Sequence, residues 1–338
     1  MRNDEFRTMN DESGDSGGSS FIIHRSSFVV ALAGGVGGAK LAFGLYRLLG
    51  ERLAVVVNTG DDFEHWGLAV CPDLDTVMYN LAGLNNPEFG WGLAGETQRA
   101  LEMMRRYGGE SWFGLGDGDL ATHLLRSDLL RQGLNLTEVT FKLKAALGIA
   151  ADLLPMSDQP VRTLVQTDEG VLPFQRYFVQ RRCEPRLLGL EFAGIEAARP
   201  SPQVLAALDR ASAVVLCPSN PYLSLDPILL LPGLADRLRA FPGPVVAVSP
   251  IVGGQAVKGP AAKIMPELGV EPSALAVAQH IAVRIRLDGF VLDALDAHLA
   301  GAVAELGVMP LVTDTIMRDA ESKERLARGV LALALQIA

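Results

Sequence analysis

The apolar run at residues 53–57 constrains the fold more than any other stretch of the chain. Its residues are all apolar and mostly β-branched, which predicts a strand buried on both faces. Further strands are predicted at 28–33, 213–217 and 244–249, each followed by a turn of glycine, proline or small polar residues. Helical patterns separate the runs, so we expect an α/β fold. The predicted architecture is a Rossmann-like, doubly wound and mainly parallel sheet that carries an inserted small α+β lobe.

Four aspartates follow this strand in two tight pairs, Asp61/Asp62 and Asp73/Asp75. Gly60 ends the strand, so we expect the first pair at the carboxyl edge of the sheet, where open α/β sheets bind ligands. Carboxylates this close repel one another unless a cation or a proton lies between them. The spacing therefore predicts a divalent cation, with Mg²⁺ as the expected ion. The alternative is that these residues are ordinary helix caps and turn formers.

A glycine-rich turn at 34–38 joins the first predicted strand to a predicted helix. This arrangement presents backbone amides and the positive end of a helix to a phosphate. The GxGxxG pattern of nicotinamide dinucleotide-binding proteins is incomplete here, because Lys40 occupies the position of the third glycine. No acidic residue ends the second strand either, so a nicotinamide dinucleotide is not favoured as the ligand. The phosphate-binding candidates in the turn are Gly34, Gly35, Gly37 and Gly38.

Other polar residues near predicted strand ends and helix starts are candidates for substrate contacts. Three of them share a helix that Asp119 is expected to cap, although a lone histidine there is more often structural. Two follow the strand at 213–217 and offer neutral hydrogen bonds, unless they form an ordinary proline-bounded turn. One is a lysine beyond the strand at 244–249, placed to meet a phosphorylated ligand. They are, in order, Thr122, His123, Arg126, Ser219, Asn220 and Lys258.

The composition excludes several classes of protein. The chain has 338 residues and a net charge of −9, which argues against a nucleic-acid partner because such proteins need a basic face. No apolar run is long and clean enough to span a membrane. The three widely separated cysteines show neither disulfide nor zinc spacing, which fits a reducing cytosol. We therefore expect a cytoplasmic protein that acts on small molecules.

The chain divides into a tail and one catalytic domain. Residues 1–26 are polar and predict a disordered tail without the apolar core of a signal peptide. The α/β domain is expected at 27–338. Within it, residues 136–205 interrupt the alternation of strands and helices and contain a predicted hairpin. We therefore interpret them as a small lobe inserted over the sheet.

Several segments, in the same order along the chain, resemble the 2-phospho-L-lactate transferase family, which assembles the deazaflavin coenzyme F420. The similarity runs from about Phe28 to the C-terminus. The segments are GGVGGAKL (34–41), NTGDD (58–62), CPDLDTV (71–77), GDGDLATH (116–123), LPMSD (154–158), PSNP (218–221), and SPI (249–251) through KG (258–259).

The resemblance implies a specific reaction. The family joins 7,8-didemethyl-8-hydroxy-5-deazariboflavin (Fo) to a phospho-organic acid carried as its guanosine diphosphate ester. The terminal ribityl hydroxyl of Fo attacks the phosphorus that bears the organic acid, GMP leaves, and Mg²⁺ is required. Whether the acid is lactate, enolpyruvate or glycerate stays open. Apart from the resemblance, an apolar surface on the inserted lobe would suit a homodimer.

The resemblance also implies residue roles. Asp61 and Asp73 would hold the metal, while Asp75 would lie at the Fo side and Thr76 would contact substrate. The glycine turn, Ser219 and Asn220 would belong to the nucleotide end. Either Asp62 or Asp75 could accept the hydroxyl proton.

The chain departs from the family pattern at one position, and one alternative function has to be weighed against the transferase, here called the rival. Family members commonly have GDRD where this chain has GDGD, so an arginine is absent at Gly118. The rival is a non-enzymatic relative of the gluconeogenesis-factor type, which shares the fold and binds nucleotide sugars as a regulator. Two acidic pairs poised for a metal favour the transferase over this rival.

Overall fold

The computed structural model describes residues 27–257 and 259–338, so the predicted tail 1–26 and Lys258 lie outside the described residues. The fold alternates strands and helices. The strands are β1 (Val29–Ala33), β2 (Leu53–Val57), β3 (Phe63–His65), β4 (Leu68–Val70), β5 (Asp152–Pro155), β6 (Arg162–Thr167), β7 (Gly170–Pro173), β8 (Leu187–Ala193), β9 (Ala213–Leu216), β10 (Val245–Val248), β11 (Ile251–Val252), β12 (Gln255–Ala256), β13 (Gly289–Asp293) and β14 (Met309–Thr313).

The helices occupy the connections between these strands. The α-helices are α1 (Gly35–Leu49), α2 (Pro72–Ala82), α3 (Arg99–Arg106), α4 (Asp117–Arg131), α5 (Leu136–Ala146), α6 (Pro202–Arg210), α7 (Asp226–Leu229), α8 (Leu234–Arg239), α9 (Ala261–Glu267), α10 (Ala274–Ala282), α11 (Ala300–Glu305) and α12 (Ala320–Ile337). Two 3-10 turns lie at Gly50–Arg52 and Ala294–Leu299, and two π-helical turns lie at Arg176–Gln180 and Pro221–Leu225.

A seven-stranded sheet forms the centre, in the order β14-β13-β10-β9-β1-β2-β5. Every neighbouring pair in it is parallel. The chain builds one half outward from β1 through β2 to β5, then returns to β9 and builds the other half. The predicted α/β fold is therefore confirmed, and the strand order reverses between β1 and β9, where such sheets leave a ligand crevice.

Both faces of the sheet are covered. Alternate residues of β1 point to opposite sides, so Val30 and Leu32 join one apolar core and Val29 and Ala31 join the other. Helices α1, α2, α5 and α12 cover the second face, and α6, α8, α9 and α10 cover the first. This double burial explains why the strands are continuous apolar runs.

A three-stranded antiparallel sheet, β7-β6-β8, forms the inserted lobe. Val165, Tyr177 and Leu187 anchor it by packing into the core of the first face. The predicted lobe, 136–205, also contains β5, which the structure places in the central sheet beside β2. The strand is only four residues long and ends at Pro155, so its sequence pattern resembles a loop.

Among residues 27–257 and 259–338, no helix combines the length and apolar character needed to cross a membrane. Cys71, Cys183 and Cys217 are buried and free.

Candidate active site

A cavity of about 540 Å³, here called the cleft, lies at the carboxyl edge of the central sheet. Residues that follow β1, β2, β9 and β10 line it, so it occupies the crevice at the strand-order reversal. The predicted site residues that line the cleft are Gly34, Gly35, Gly37, Asp61, Asp73, Asp75, Thr76, His123, Ser219 and Asn220. The predicted site residues outside its lining are Gly38, Asp62, Thr122 and Arg126.

The glycine-rich turn 34–38 carries the chain from β1 into α1. The Gly34 amide donates to Ser219 Oγ at 3.1 Å, and the Gly35 amide donates to Asp73 Oδ1 at 2.8 Å. Gly35 has φ of +63°, a conformation that glycine adopts without strain. Two amides that were predicted to meet a phosphate thus have protein acceptors already. The part of the turn that is still available to bind an anion is the positive, N-terminal end of α1.

Asp61 and Asp73 form the acidic pair of the cleft. Asp61 follows β2 and Asp73 lies in the first turn of α2, and their side chains are almost completely buried. Asn58 lies between the two elements and donates from Nδ2 to Asp73 Oδ2 at 2.9 Å. The residue types are those predicted, but sequence reasoning missed Asn58 as the side chain that orients the second carboxylate.

The charge of this acidic pair is not neutralised by a nearby cation on the described residues. Burial, and then the charge of Asp73, raise the pKa of Asp61 well above its usual value. Burial likewise raises the pKa of Asp73 to about 6. Asp61 Oδ1 is buried and has no hydrogen-bond partner within the described chain. Asp61 thus has a buried carboxylate oxygen without a partner on the described residues, while each oxygen of Asp73 accepts one hydrogen bond and keeps a further lone pair. Such a pair of carboxylates fits a hard divalent cation, so these two residues suit the predicted Mg²⁺.

Asp62 points away from the cleft, although it directly follows Asp61. It lines a second cavity of about 220 Å³ that also contains Thr59 and Arg162. Burial raises its pKa to about 7, and a hydrogen bond with Cys71 opposes that rise. The prediction that all four aspartates act together is therefore wrong in geometry, because consecutive residues of the turn face opposite sides.

Asp75 forms a buried ion pair with Arg126. Guanidinium Nη1 donates to Asp75 Oδ2 at 3.0 Å, and Nη2 donates to Oδ1. Burial would lower the pKa of Arg126, but the charge of Asp75 raises it above its usual value. The sequence placed Arg126 against a substrate, whereas the structure uses it to neutralise the carboxylate behind the cleft wall.

Asp75, Asp119 and His123 offer a second arrangement of metal-ligand type, with atoms that lie within 4.8 Å of one another. Arg126 already occupies both oxygens of Asp75, and its charge would repel a cation at this place. The pair Asp61/Asp73, which has no cation beside it on the described residues, is therefore the stronger candidate for a metal.

Asp119 and its neighbours form a polar network on the α4 side of the cleft. Tyr79 Oη donates to Asp119 Oδ1 at 2.7 Å and lies 2.8 Å from Thr122 Oγ1. Thr122 thus supports a tyrosine of the cleft wall and does not line the cleft itself. Asp119 was predicted as a helix cap, but Glu96 performs that task by accepting the amide protons of Gly118 and Asp119.

Aromatic side chains line the outer part of the cleft. Phe89 and Trp91 stack with ring centroids 5.6 Å apart, and each is about half exposed (49% and 51%). Phe174 and Phe178 of the inserted lobe also line the cleft and stack at 5.4 Å, and Phe113 is a further lining residue. Sequence reasoning missed this group because its members lie in loops and in the lobe, without a shared period. An apolar, aromatic wall of this kind suits a flat ring.

A family model described as "2-phospho-L-lactate transferase CofD" matches residues 29–326. The chain belongs to the 2-phospho-L-lactate transferase family. The match spans the central sheet and the cleft, and it agrees with the resemblance of the sequence motifs.

Members of this family from bacteria and archaea resemble the chain to a similar degree. The phosphoenolpyruvate transferase of Kitasatospora aureofaciens is 42% identical over 316 residues, which cover 91% of this chain and 98% of that protein. The 2-phospho-L-lactate transferase of Methanosarcina mazei is 40% identical over 304 residues, which cover 90% and 99%. A solved structure of a UPF0052 protein from Bacillus halodurans shares the fold alone, with a TM-score of 0.59, 15% identity, and coverage of 90% and 99%.

Gly118, where the family pattern commonly has arginine, lies in the first turn of α4 against Glu96. A Cβ at this position would lie 3.0 Å from Glu96 Oε1 and 3.2 Å from Leu93 Cδ1. Glu96 therefore fills the space beside position 118 in this family member, and glycine leaves that capping carboxylate undisturbed.

Proposed function

We propose that the chain transfers a phospho-organic acid from its guanosine diphosphate ester to the ribityl hydroxyl of Fo and releases GMP, as a step of coenzyme F420 biosynthesis. The observation that carries the proposal is the buried pair Asp61/Asp73, placed beside the glycine turn at the strand-order reversal. Attack on a diphosphate needs charge neutralisation and in-line positioning more than covalent chemistry. A concentrated negative charge at this place has little structural value of its own and suits a metal-bound diphosphate.

The inner end of the cleft is proposed to bind the guanosine diphosphate part. Ser219 and Asn220 follow β9 there, and the positive end of α1 faces the same space. Lys40 lines the cleft as well and donates from Nζ to Met317 O at 3.0 Å. Mg²⁺ held by Asp61 and Asp73 would supply charge neutralisation on the phosphates. Lys258, predicted as a further phosphate ligand, stays a prediction.

The outer end is proposed to bind the deazaflavin ring of Fo. Phe89, Trp91, Phe113 and Phe178 offer ring faces and edges to a planar aromatic system. The ribityl chain would then run inward toward the acidic pair, which places its terminal hydroxyl near the phosphates. Aromatic and acidic residues at opposite ends of one cleft are what a transfer between a flat ring compound and a diphosphate ester requires.

We further propose a cytoplasmic homodimer. The three free, buried cysteines suit a reducing compartment. Val171 and Leu188 of the inserted lobe are each more than half exposed and support a contact between two lobes.

The test is incubation of the protein with Fo, Mg²⁺ and, in separate reactions, the guanylylated forms of lactate, enolpyruvate and glycerate phosphates. We expect mass spectrometry to find Fo extended by one phospho-organic acid, with GMP in equal amount, for at least one donor. Binding of a nucleotide sugar without any such product would favour the regulatory rival and overturn the proposal.

A further inference from the structure

The structure offers the attacking hydroxyl a cleft carboxylate besides its two expected proton acceptors. Asp62 faces the second cavity, and both oxygens of Asp75 receive hydrogen bonds from Arg126. We propose that Asp119 accepts this proton and that His123, whose Nε2 faces Asp119, positions this carboxylate, an inference that rests on the proposed function.

Arg126 determines which ring nitrogen of His123 carries the hydrogen. Its Nη1 lies 3.2 Å from His123 Nδ1, and a guanidinium group only donates hydrogen bonds. Nδ1 must therefore accept, because a hydrogen there would point at another donor. In the neutral ring the hydrogen then lies on Nε2. His123 is 1% exposed, so the packed ring has no freedom to exchange these roles.

His123 Nε2 faces Asp119. The distance from Nε2 to Asp119 Oδ1 is 3.4 Å, and the same oxygen receives the hydrogen bond of Tyr79 Oη at 2.7 Å. A histidine that carries its hydrogen on this nitrogen serves as a donor and cannot take a proton from substrate there. The basic role in the network therefore falls to the carboxylate.

Asp119 has the features of a proton acceptor. Its Oδ1 is held by Tyr79 and faces His123, while no protein partner of Oδ2 is found within the described chain. The side chain lines the cleft and is 15% exposed, so substrate can reach it. Burial would raise the pKa of Asp119, but its contacts with His123 and Tyr79 hold that pKa below its usual value. The carboxylate is thus ionised, as a proton acceptor must be before the step.

The step balances as follows. The hydroxyl oxygen of the acceptor forms the new bond to phosphorus, the bond from phosphorus to the GMP oxygen breaks, and GMP keeps that electron pair. The hydroxyl proton passes to Asp119 and then to solvent. A positioned carboxylate performs the same task in protein kinases, where an aspartate accepts the proton of the substrate hydroxyl.

The first experiment compares Asp119→Asn, Asp119→Glu and Asp128→Asn in the transfer reaction. Asparagine keeps the acceptor for Tyr79 but removes the free carboxylate oxygen, so we expect kcat to fall about 10²- to 10⁴-fold with little change in the KM of the donor. Glutamate should recover part of kcat. Asp128 is an exposed residue of the same helix and provides the matched control. Equal kcat for Asp119→Asn and Asp128→Asn would overturn the proposal.

The second experiment measures the tautomer of His123 by NMR in the protein without substrates. We expect the hydrogen on Nε2, and a shift toward Nδ1 in Arg126→Gln. A hydrogen on Nδ1 in the unaltered protein would overturn the arrangement. The two failures remain distinct: no product from the unaltered protein removes the proposed function, whereas equal transfer by Asp119→Asn removes only the role of Asp119.

Discussion

Two carboxylate sites lie within one stretch of this chain and have opposite electrostatics. The pair Asp61/Asp73 has no cation beside it on the described residues, and burial raises the pKa of both groups. Asp75, two residues further along α2, is bound by both terminal nitrogens of Arg126. The charge of Asp75 is therefore neutralised within the protein, whereas the charge of the Asp61/Asp73 pair is not. The contrast supports Asp61 and Asp73, rather than Asp75, as the residues that would hold the proposed metal.

The comparison also separates two uses of buried charge. An ion pair such as Asp75–Arg126 gains little over apolar residues of the same size, but removing one partner leaves an uncompensated charge. Its value here is that it fixes α2 against α4 and orients His123. Burial of the Asp61/Asp73 pair instead disfavours its charged form, so a cation bound there would stabilise the folded protein.

Arg126→Met should produce the largest effect, because it leaves Asp75 buried without its partner. We expect the free energy of unfolding to fall by about 3–5 kcal/mol, measured by urea unfolding. The double variant Asp75→Asn/Arg126→Met should recover most of that loss. A single variant as stable as the unaltered protein would show that Asp75 is neutralised in another way.

Asp73→Asn should show the next largest effect, on function. Removing one carboxylate of the proposed metal pair should lower kcat by roughly 10²- to 10³-fold, the range found when a single electrostatic contact to the transition state is lost. The Mg²⁺-induced rise in Tm should disappear as well, since stabilisation by a ligand depends on its affinity.

The double variant Asp75→Asn/Arg126→Met is the matched control for that measurement, because it removes the neutral ion pair and leaves Asp61 and Asp73 in place. It should keep the rise in Tm with Mg²⁺. Loss of the rise in the double variant, with retention in Asp73→Asn, would move the metal to the Asp75 side and reverse the comparison.

The sequence could predict the sheet and the acidic edge because both depend on local pattern. A buried parallel strand needs a continuous apolar run, and the turn after it must lie at the carboxyl edge, so residues 53–62 fix the place of Asp61. The direction in which each aspartate points was beyond such reasoning. In a tight turn, Asp61 and Asp62 separate according to backbone dihedrals that no hydrophobic period reveals.

The contacts of α4 could not be predicted for a different reason. Arg126 and Asp75 are 51 residues apart, and they meet only because α4 packs against β4, which directly precedes α2. The helix itself was expected, but a polar helix start predicts a cap, and here Glu96 from a preceding loop supplies it. The local sequence predicted only a helix cap for Asp119, and it is the tertiary packing of α4 that brings this side chain to the cleft.

Asp62→Asn should have the smallest effect, confined to stability at higher pH. The pKa of Asp62 is raised from 3.8 to about 7 in the fold, so the folded state holds more protons than the unfolded state between these values. Its contribution to stability is complete below pH 4 and is lost as the pH rises through 7. Asparagine carries no charge, and it should stabilise the metal-free protein by roughly 1–3 kcal/mol at pH 8 with no gain at pH 4. Urea unfolding at both pH values, with Asp128→Asn as the exposed control, measures this. If asparagine instead destabilises the protein at pH 8, the carboxylate of Asp62 has a compensating partner, and Asp62 would resemble Asp75 rather than Asp61.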